Sequence, residues 1–468
     1  MDDFLREIQT SLFREWINNQ KRDYYHLHQS ETDPDAIIIE NEYCYSYVTF
    51  NPQCIIELCV MNKRTDEMAF YLHFQFKTLK HAISLFEEMD QCIKKMIDQP
   101  ICRLLLCCSG GMTTAFFADK IKNGIKVLNL NMEVAATSYQ KIYNVAQNYD
   151  VILLAPQVSY VKLQVEKVFK NKLVLKIPTQ IFASYNVGAL ITFVEESLKY
   201  KENKYNGYVE PLASMMEIKT NKNVLAVSIN ANGENSHISY RLYNSHQDIV
   251  LDSNIIKSNI KLQDVLDALD TVVLQNEMID VISIALPGVM VEGNVYSGII
   301  EGGNHQLKER LEKRYEKEIY LINDVNAAVV GYYASQNEYK SLAFLFQPIG
   351  RMAGSGIVVN GQLVRGMDHL AGEVALLPLN LSDAYLTLAN TPEGTLELVT
   401  KNIMSIIAIV APEAIVVYSD LILDSQDVSD EIKKALSQYP LKVYPQIIKV
   451  ENILEYILLG AMILSAKE

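Results

Sequence analysis

The stretch Leu104-Leu105-Leu106-Cys107-Cys108-Ser109-Gly110-Gly111-Met112-Thr113-Thr114 limits the possible fold more than any other part of this chain. Three leucines in a row read as the buried end of a strand. The two glycines read as a tight turn with its N–H groups facing inward, and the threonines as the opening of an amphipathic helix. A strand that turns directly into a helix belongs to a β-α-β unit, and so to a parallel sheet wrapped on both faces. The same turn carries chemistry. Amides at a helix N-terminus attract anions. Cys108, the last residue before the turn, sits at the positive end of that helix, where a thiol gives up its proton more readily and becomes a nucleophile. Cys108 is therefore the candidate for a cysteinyl-phosphate, with Ser109, Gly110, Gly111, Met112, Thr113 and Thr114 as the anion loop. The plainer alternative is a buried cysteine beside an ordinary Gly-Gly turn.

The segment resembles enzyme IIB of the lactose/cellobiose class of the bacterial sugar phosphotransferase system. That family's loop reads Cys-Ser-x-Gly-Met-Ser/Thr-Thr/Ser, and Cys108, Ser109, Gly111, Met112, Thr113 and Thr114 occupy those positions. Asp150-Val151-Ile152-Leu153-Leu154-Ala155-Pro156-Gln157-Val158 is similar to its third strand and Pro-Gln turn, and Lys172 to Ile177 to its last strand. The resemblance implies a four-stranded parallel sheet over 101–200, with Cys108 accepting a phosphoryl group from a histidine-phosphorylated IIA-like partner. Cys107 is then a core residue. Its remaining strand is expected at Val127 to Asn131, with helices near Thr113 to Lys122, Ser138 to Gln147, Val161 to Phe169 and Val187 to Lys199.

A chain of 468 residues is too long for one core and implies about three domains. The net charge of -14 argues against nucleic acid as a partner, because its phosphates must be met by clustered Lys and Arg. No apolar run reaches the ~18 residues of a membrane span, and Met1-Asp2-Asp3 does not open a secretion signal, so the cytoplasm is expected. The seven cysteines lie in apolar strands and helices, which suits reduced thiols. No Cys-x-x-Cys or histidine-rich cluster offers a metal site, and no zinc is expected.

Residues 1–100 read as a small α+β domain. Helix Phe4 to Asn19 has Leu5, Ile8, Leu12, Trp16 and Asn19 on one face, a stripe that packs on its own domain or pairs two copies. Strands follow at Ile37 to Glu40, Tyr43 to Phe50, Ile55 to Met61 and Met68 to Phe76, the last with strict period two, and helix Leu79 to Ile97 covers the sheet. His26, His28, His73 and His81 read as scattered surface histidines rather than phosphoryl relays. A polar, unpatterned stretch places a linker at 201–222.

Residues 223–468 read as a second α/β body. Strands Val224 to Ile229, Ser236 to Tyr243 and Asp248 to Leu251 suggest an antiparallel meander, followed by helix Leu262 to Leu274 and strands at Val281 to Leu286, Ile319 to Ile322, Leu342 to Phe346, Ser355 to Val359 and Ala414 to Tyr418. Ser283-Ile284-Ala285-Leu286-Pro287-Gly288, Leu321-Ile322-Asn323-Asp324-Val325-Asn326-Ala327-Ala328, Val359-Asn360-Gly361, Leu370-Ala371-Gly372-Glu373 and Pro412-Glu413 follow in the order of five motifs of the ROK family of sugar kinases and sugar-responsive repressors. This half resembles that family, which implies an actin-like, ribonuclease H-like domain of two lobes that commonly pairs as a homodimer.

Asp324 matches the family's catalytic aspartate, a general base for a sugar hydroxyl as phosphoryl transfer proceeds. Asn323 and Glu373 match residues that hydrogen-bond sugar hydroxyls. An alternative for Asp324 is the N-cap of a helix beginning at Val325.

The departures fall on the nucleotide side. Asp-x-Gly-Gly-Thr is here Ser228-Ile229-Asn230-Ala231-Asn232, and Gly-Thr-Gly-x-Gly-Gly-Gly is Gly350-Arg351-Met352-Ala353-Gly354-Ser355-Gly356. Tyr418-Ser419-Asp420 replaces the glycine-rich adenosine turn. Leu376 replaces the family's histidine, and the Cys-x-Cys-Gly of its zinc module is missing. ATP and magnesium are therefore not expected as cofactors, and Arg351 and Met352 are expected to fill the nucleotide position. The combined reading is a cytoplasmic sensor or regulator tied to the phosphotransferase system, taking a sugar or sugar phosphate. The alternatives are an active IIB phosphocarrier and an active ROK sugar kinase.

Overall fold

The computed structural model describes residues 3–20, 22–63, 67–98, 102–110, 112–128, 130, 132–170, 172–199, 220–232, 235–291, 294–296, 300–301, 306–367, 370–422, 424–437 and 444–467. The chain opens with α1 (Asp3–Asn18), β1 (His26–Gln29), β2 (Ala36–Glu40), β3 (Cys44–Asn51), β4 (Ile55–Asn62), β5 (Glu67–Gln75) and α2 (Leu79–Asp98). An alternating stretch follows: β6 (Cys102–Cys108), α3 (Met112–Val127), β7 (Met132–Ser138), α4 (Ile142–Val145), β8 (Val151–Leu154), α5 (Lys162–Val168), β9 (Leu173–Lys176), α6 (Thr179–Ser184) and α7 (Val187–Lys199). Next come β10 (Val224–Asn232), β11 (Asn235–Tyr243), β12 (Ile249–Lys257), β13 (Ile260–Lys261), α8 (Leu262–Gln275), β14 (Val281–Leu286), β15 (Val289–Val291), β16 (Asn294–Tyr296), β17 (Ile300–Glu301), α9 (Leu307–Tyr315), β18 (Glu318–Asn323) and α10 (Asp324–Ala334). The last elements are β19 (Leu342–Phe346), β20 (Gly354–Val359), β21 (Gln362–Leu363), α11 (Tyr385–Leu388), α12 (Pro392–Val410), β22 (Ala414–Tyr418), α13 (Ser425–Leu436), β23 (Gln446–Lys449) and α14 (Leu454–Lys467). The described part of the expected linker is confined to residues 220–222.

Contacts divide the chain into two bodies, one of residues 1–99, 216–331 and 457–468, the other of 100–215 and 332–456. The first is built on one ten-stranded sheet in the order β1-β2-β3-β4-β5-β12-β11-β10-β14-β18. β10 runs antiparallel to β11, and β11 to β12, while β10, β14 and β18 are parallel. β14 is buried at every position, as a central parallel strand must be.

Residues 1–100, expected to form a domain of their own, instead continue this sheet. Tyr71 of β5 pairs with Ile256 of β12, which covers an edge that would otherwise present unpaired backbone groups. The apolar face of β5 (Phe70, Leu72, Phe74), Phe13 and Ile17 of α1, and Phe86, Met89 and Ile93 of α2 share one core with Leu225, Val227, Val265 and Leu269. Charges span the same junction: Lys77 Nζ lies 2.6 Å from Asp267 and 2.5 Å from Asp270, and Lys257 Nζ lies 2.6 Å from both Glu88 and Asp264.

Two sequence expectations change here. The α1 stripe splits, with Trp16 stacking on buried Phe13 while Leu5, Ile8 and Leu12 are exposed. His73 is buried rather than on the surface; Tyr240 Oη lies 3.0 Å from its Nε2, and burial lowers its pKa to about 4. His81 Nε2 lies 2.9 Å from Asp267.

Among the described residues, the second body holds two sheets. One is β7-β6-β8-β9, four strands all parallel, as the resemblance implied. Its second strand lies later than expected. Ile121 and Ile125 keep the helical period of α3 through to Val127, so Val127–Leu128 do not start a strand, and β7 begins at Met132. The expected helix Ser138 to Gln147 is broken into a 3-10 turn, the single turn α4 and a second 3-10 turn.

The other sheet is β21-β20-β19-β22-β23, with β19, β22 and β23 parallel and β20 antiparallel to both neighbours. Counted from the first strand of each, this sheet and β12-β11-β10-β14-β18 share the order 3-2-1-4-5. Each half of residues 223–468 thus repeats the pattern of an actin-like lobe.

Candidate functional site

β6 delivers Cys108 to the carboxyl edge of the parallel sheet, where such folds place ligands. Alternation along the strand separates the paired cysteines. Cys107 is fully buried, and burial pushes its thiol up to about 12. Cys108 is 6% exposed and lies where Ser109 and Gly110 reach solvent. The Gly110 N–H donates to the Cys108 sulfur at 3.2 Å, and the Thr137 carbonyl lies 3.9 Å from it. Gly110 has φ +110°, a conformation that a side chain would strain, which is why the turn needs glycine there.

α3 starts at Met112, so its first turn follows directly. Gly111 lies outside the described residues, as do the side chains of Met112, Thr113 and Thr114. β8 runs beside β6, its end fixed by the Ala155 N–H donating to the Cys107 carbonyl at 2.9 Å, and the chain then turns at Pro156. The Gly110 amide aimed at the sulfur and the start of α3 just beyond it are the kind of donors that an anion would use.

In the first body, Asn323 and Asp324 stand where β18 passes into α10. Capping falls to Asn323. Its Oδ1 accepts from the Val325 and Asn326 N–H groups at 3.0 Å each, and its Nδ2 donates to the Gly288 carbonyl at 3.2 Å. Asp324 is the first helical residue, 7% exposed, and its Oδ1 accepts from Val325 N–H at 2.9 Å. Ser228, at the position of the kinases' acid, is buried within β10.

The second body holds Glu373, half-buried, with its carboxyl raised above the usual range by burial, and Leu376, 74% exposed. It also holds the loop between β19 and β20, which is closed on itself. Gln347 is fully buried; its Nε2 donates to the Pro348 and Arg351 carbonyls at 2.9 and 3.0 Å, and its Oε1 accepts from the Tyr385 hydroxyl at 2.8 Å. The same hydroxyl accepts the Ala353 N–H at 3.2 Å, and the Gly350 N–H goes to the Ala389 carbonyl at 2.9 Å. Arg351 and Met352, expected to fill the nucleotide position, are both exposed.

Gln347 and Tyr385 are the residues that sequence reasoning missed. A glutamine ending the apolar run Leu342 to Phe346 was the available signal for the first; nothing local marks the second. Among the described residues, no group of three or more His, Cys, Asp or Glu side chains is arranged to hold a metal ion, and no helix is long and apolar enough to cross a membrane.

Comparison with known proteins bears on both halves. The family model "PTS system, Lactose/Cellobiose specific IIB subunit" matches residues 103–192, and that of the ROK family matches residues 233–394. A ROK family protein from Streptococcus pneumoniae TIGR4 in complex with sucrose is 18% identical, over 52% of this chain and 97% of that one, with TM-score 0.42. The ROK hexokinase from Thermus thermophilus is 18% identical over 52% and 99%, with TM-score 0.43. The lactose-specific IIB component domain from Streptococcus pneumoniae is 23% identical over 20% and 96%, with TM-score 0.19. A search of curated proteins gives no match.

Proposed function

We propose, for a chain that joins a lactose/cellobiose-type IIB segment to a ROK segment, that Cys108 accepts a phosphoryl group and the ROK half binds a sugar or sugar phosphate without using ATP. The protein then reports the state of the sugar phosphotransferase system rather than making sugar phosphates. One observation carries this reading: the IIB match covers the loop in which the Gly110 N–H points at the Cys108 sulfur, directly before α3.

In the reaction, the Cys108 thiolate attacks the phosphorus of a phosphohistidine on a IIA-like partner. The P–N bond breaks, the S–P bond forms, and the histidine nitrogen recovers a proton from solvent. The loop amides and the helix N-terminus hold the phosphoryl oxygens.

On the ROK side, the reading is supported by the amides of Gly350 and Ala353, which are already spent on the Ala389 carbonyl and the Tyr385 hydroxyl. A phosphate cradle works by offering such amides to its ligand. Asp324 and Glu373 are the groups assigned to sugar hydroxyls, and a dimer formed through this half fits the ROK resemblance.

The test is incubation of the full chain with a phosphohistidine-bearing IIA-type donor, followed by peptide mapping. Phosphate on Cys108, absent in Cys108→Ser, is the expected result, together with no sugar-dependent ATP turnover. Phosphate elsewhere, or ATP turnover abolished by Asp324→Asn, overturns the reading; the latter would establish the kinase alternative.

A further inference from the structure

We propose that the IIB-type segment docks on the nucleotide-side loops of the second ROK lobe, and that negative charge at Cys108 loosens this docking. The inference rests on the phosphocysteine reading above and deepens it by naming what the phosphoryl group acts on. Both partners lie within the second body.

The docking is apolar at its centre. Leu421, just past β22, is 2% exposed and belongs to the same buried cluster as Leu154, Tyr143 and Phe169 of the IIB-type segment, with Ile349 packed against it. These two residues come from the loops after β22 and after β19, the carboxyl ends of adjacent parallel strands.

Asn144 follows the same contact line. A Cβ on Gly350, at φ +65°, would stand 3.2 Å from Asn144 Oδ1 and 2.6 Å from Asn390 Oδ1, so a side chain there would press on both. The IIB-type segment thus rests on the loop whose N–H groups donate to Tyr385 and Ala389 and whose Arg351 carbonyl Gln347 holds.

One polar contact joins this docking to the cysteine. The Tyr139 hydroxyl donates to both carboxylate oxygens of Glu393, at 2.9 and 3.2 Å, and Glu393 sits in the first turn of α12. Burial first, then Tyr143 and Glu393, push the Tyr139 phenol up, so it stays a donor. Tyr139 directly follows Ser138, the in-register neighbour of Cys108 across β6 and β7, and the Cys108 sulfur lies 3.9 Å from the Thr137 carbonyl.

A phosphoryl group brings about -1.5 to -2 charges to that strand end. It repels the carboxylate that Tyr139 holds. It also draws the Gly110 N–H away from the sulfur, moving the backbone against which Thr137 and Ser138 lie. Both effects oppose the Tyr139–Glu393 contact. By contrast, Lys170 and Glu451 at 4.0 Å are exposed and contribute little to holding the pair of surfaces together.

Hydrogen exchange on the full chain tests this. Four samples are compared: untreated protein, protein phosphorylated by a IIA-type donor with its phosphocysteine fraction measured by intact mass, Cys108→Glu, and Cys108→Ser. Peptides spanning 347–353 and 389–395 should exchange on the order of tenfold faster in the phosphorylated and Glu forms, and unchanged in the Ser form. Adding Glu393→Gln should cancel most of the acceleration.

Equal rates in a sample of confirmed phosphocysteine, or in folded Cys108→Glu, overturn the proposal. If no phosphocysteine forms, the phosphocarrier reading fails, and the Glu form still decides the coupling. Should Cys108→Glu not fold, Ser109→Glu puts the charge at an exposed position of the same loop and is judged by the same rates.

Discussion

Replacing Tyr385 by Phe removes one oxygen and should destabilise the second body measurably. That hydroxyl donates to Gln347 Oε1 at 2.8 Å and accepts the Ala353 N–H at 3.2 Å, with Gln347 fully buried and Ala353 4% exposed. Phenylalanine leaves an acceptor and a donor with no partner, at ~1 to 3 kcal/mol each. Tyr385 itself is only partly buried, so water relieves some of this and a total of about 2 kcal/mol is expected. In a body of roughly 240 residues, that lowers the unfolding midpoint by about 4 to 8 °C, read by calorimetry on the full chain. Gln347→Leu in the same background should deepen the loss, since it also strips the Pro348 and Arg351 carbonyls of their donor. A loop held open for a phosphate would have its amides in water, and Tyr385→Phe would then be silent. A midpoint within about 1 °C of the parent would therefore refute the closed-loop account.

Two further outcomes follow from the first body. His73 has its pKa lowered to about 4 by burial, whereas an unfolded histidine titrates near 6.5. Its neutral form is favoured by folding, so its contribution is complete above about pH 6.5 and is lost as pH falls toward 4, at up to roughly 1.4 kcal/mol per unit. Urea denaturation between those values should show the slope, and His73→Gln should flatten it; an unchanged slope would mean the imidazole is not held neutral. Phe74→Ala removes a fully buried ring from the core shared by β5 and the strands of residues 223–331, and should cost about 3 to 5 kcal/mol. Fluorescence of Trp16 and exchange at β10 amides should both report the loss. If only Trp16 responds, the N-terminal strands are not part of one cooperative core.

Much of this arrangement was legible in the sequence because the signals were local. The Leu104–Leu106 run, the Gly110 turn and the following helix specify β6, the loop and α3 with no help from elsewhere. β14, β19 and β22 were equally plain as short apolar runs bounded by turn residues. What escaped was non-local. That β5 completes the edge of β12 depends on a pairing between Tyr71 and Ile256, almost two hundred residues apart. The strand expected at Val127–Asn131 alternates as a strand should, yet buried Ile121 and Ile125 carry the helix through its start. Short β23 and the all-round apolar α14 were not read at all. Arg351 and Met352 were expected to fill a nucleotide position in the loop between β19 and β20. Both face solvent, and the loop is closed instead by Gln347 and by Tyr385, 38 positions along the chain. Asn323, matched to a sugar ligand, spends its side chain on capping α10 and holding the Gly288 carbonyl.

Phosphorus NMR on the intact protein, before and after treatment with a IIA-type phosphohistidine donor, tests the phosphocysteine most directly. One new resonance is predicted, amounting to about one phosphoryl group per chain. It should be absent in Cys108→Ser, retained in Cys107→Ser, and discharged when unphosphorylated donor protein is returned in excess. A signal that survives in Cys108→Ser, or no signal while the donor remains charged, would contradict the assignment of Cys108 as the phosphoryl acceptor.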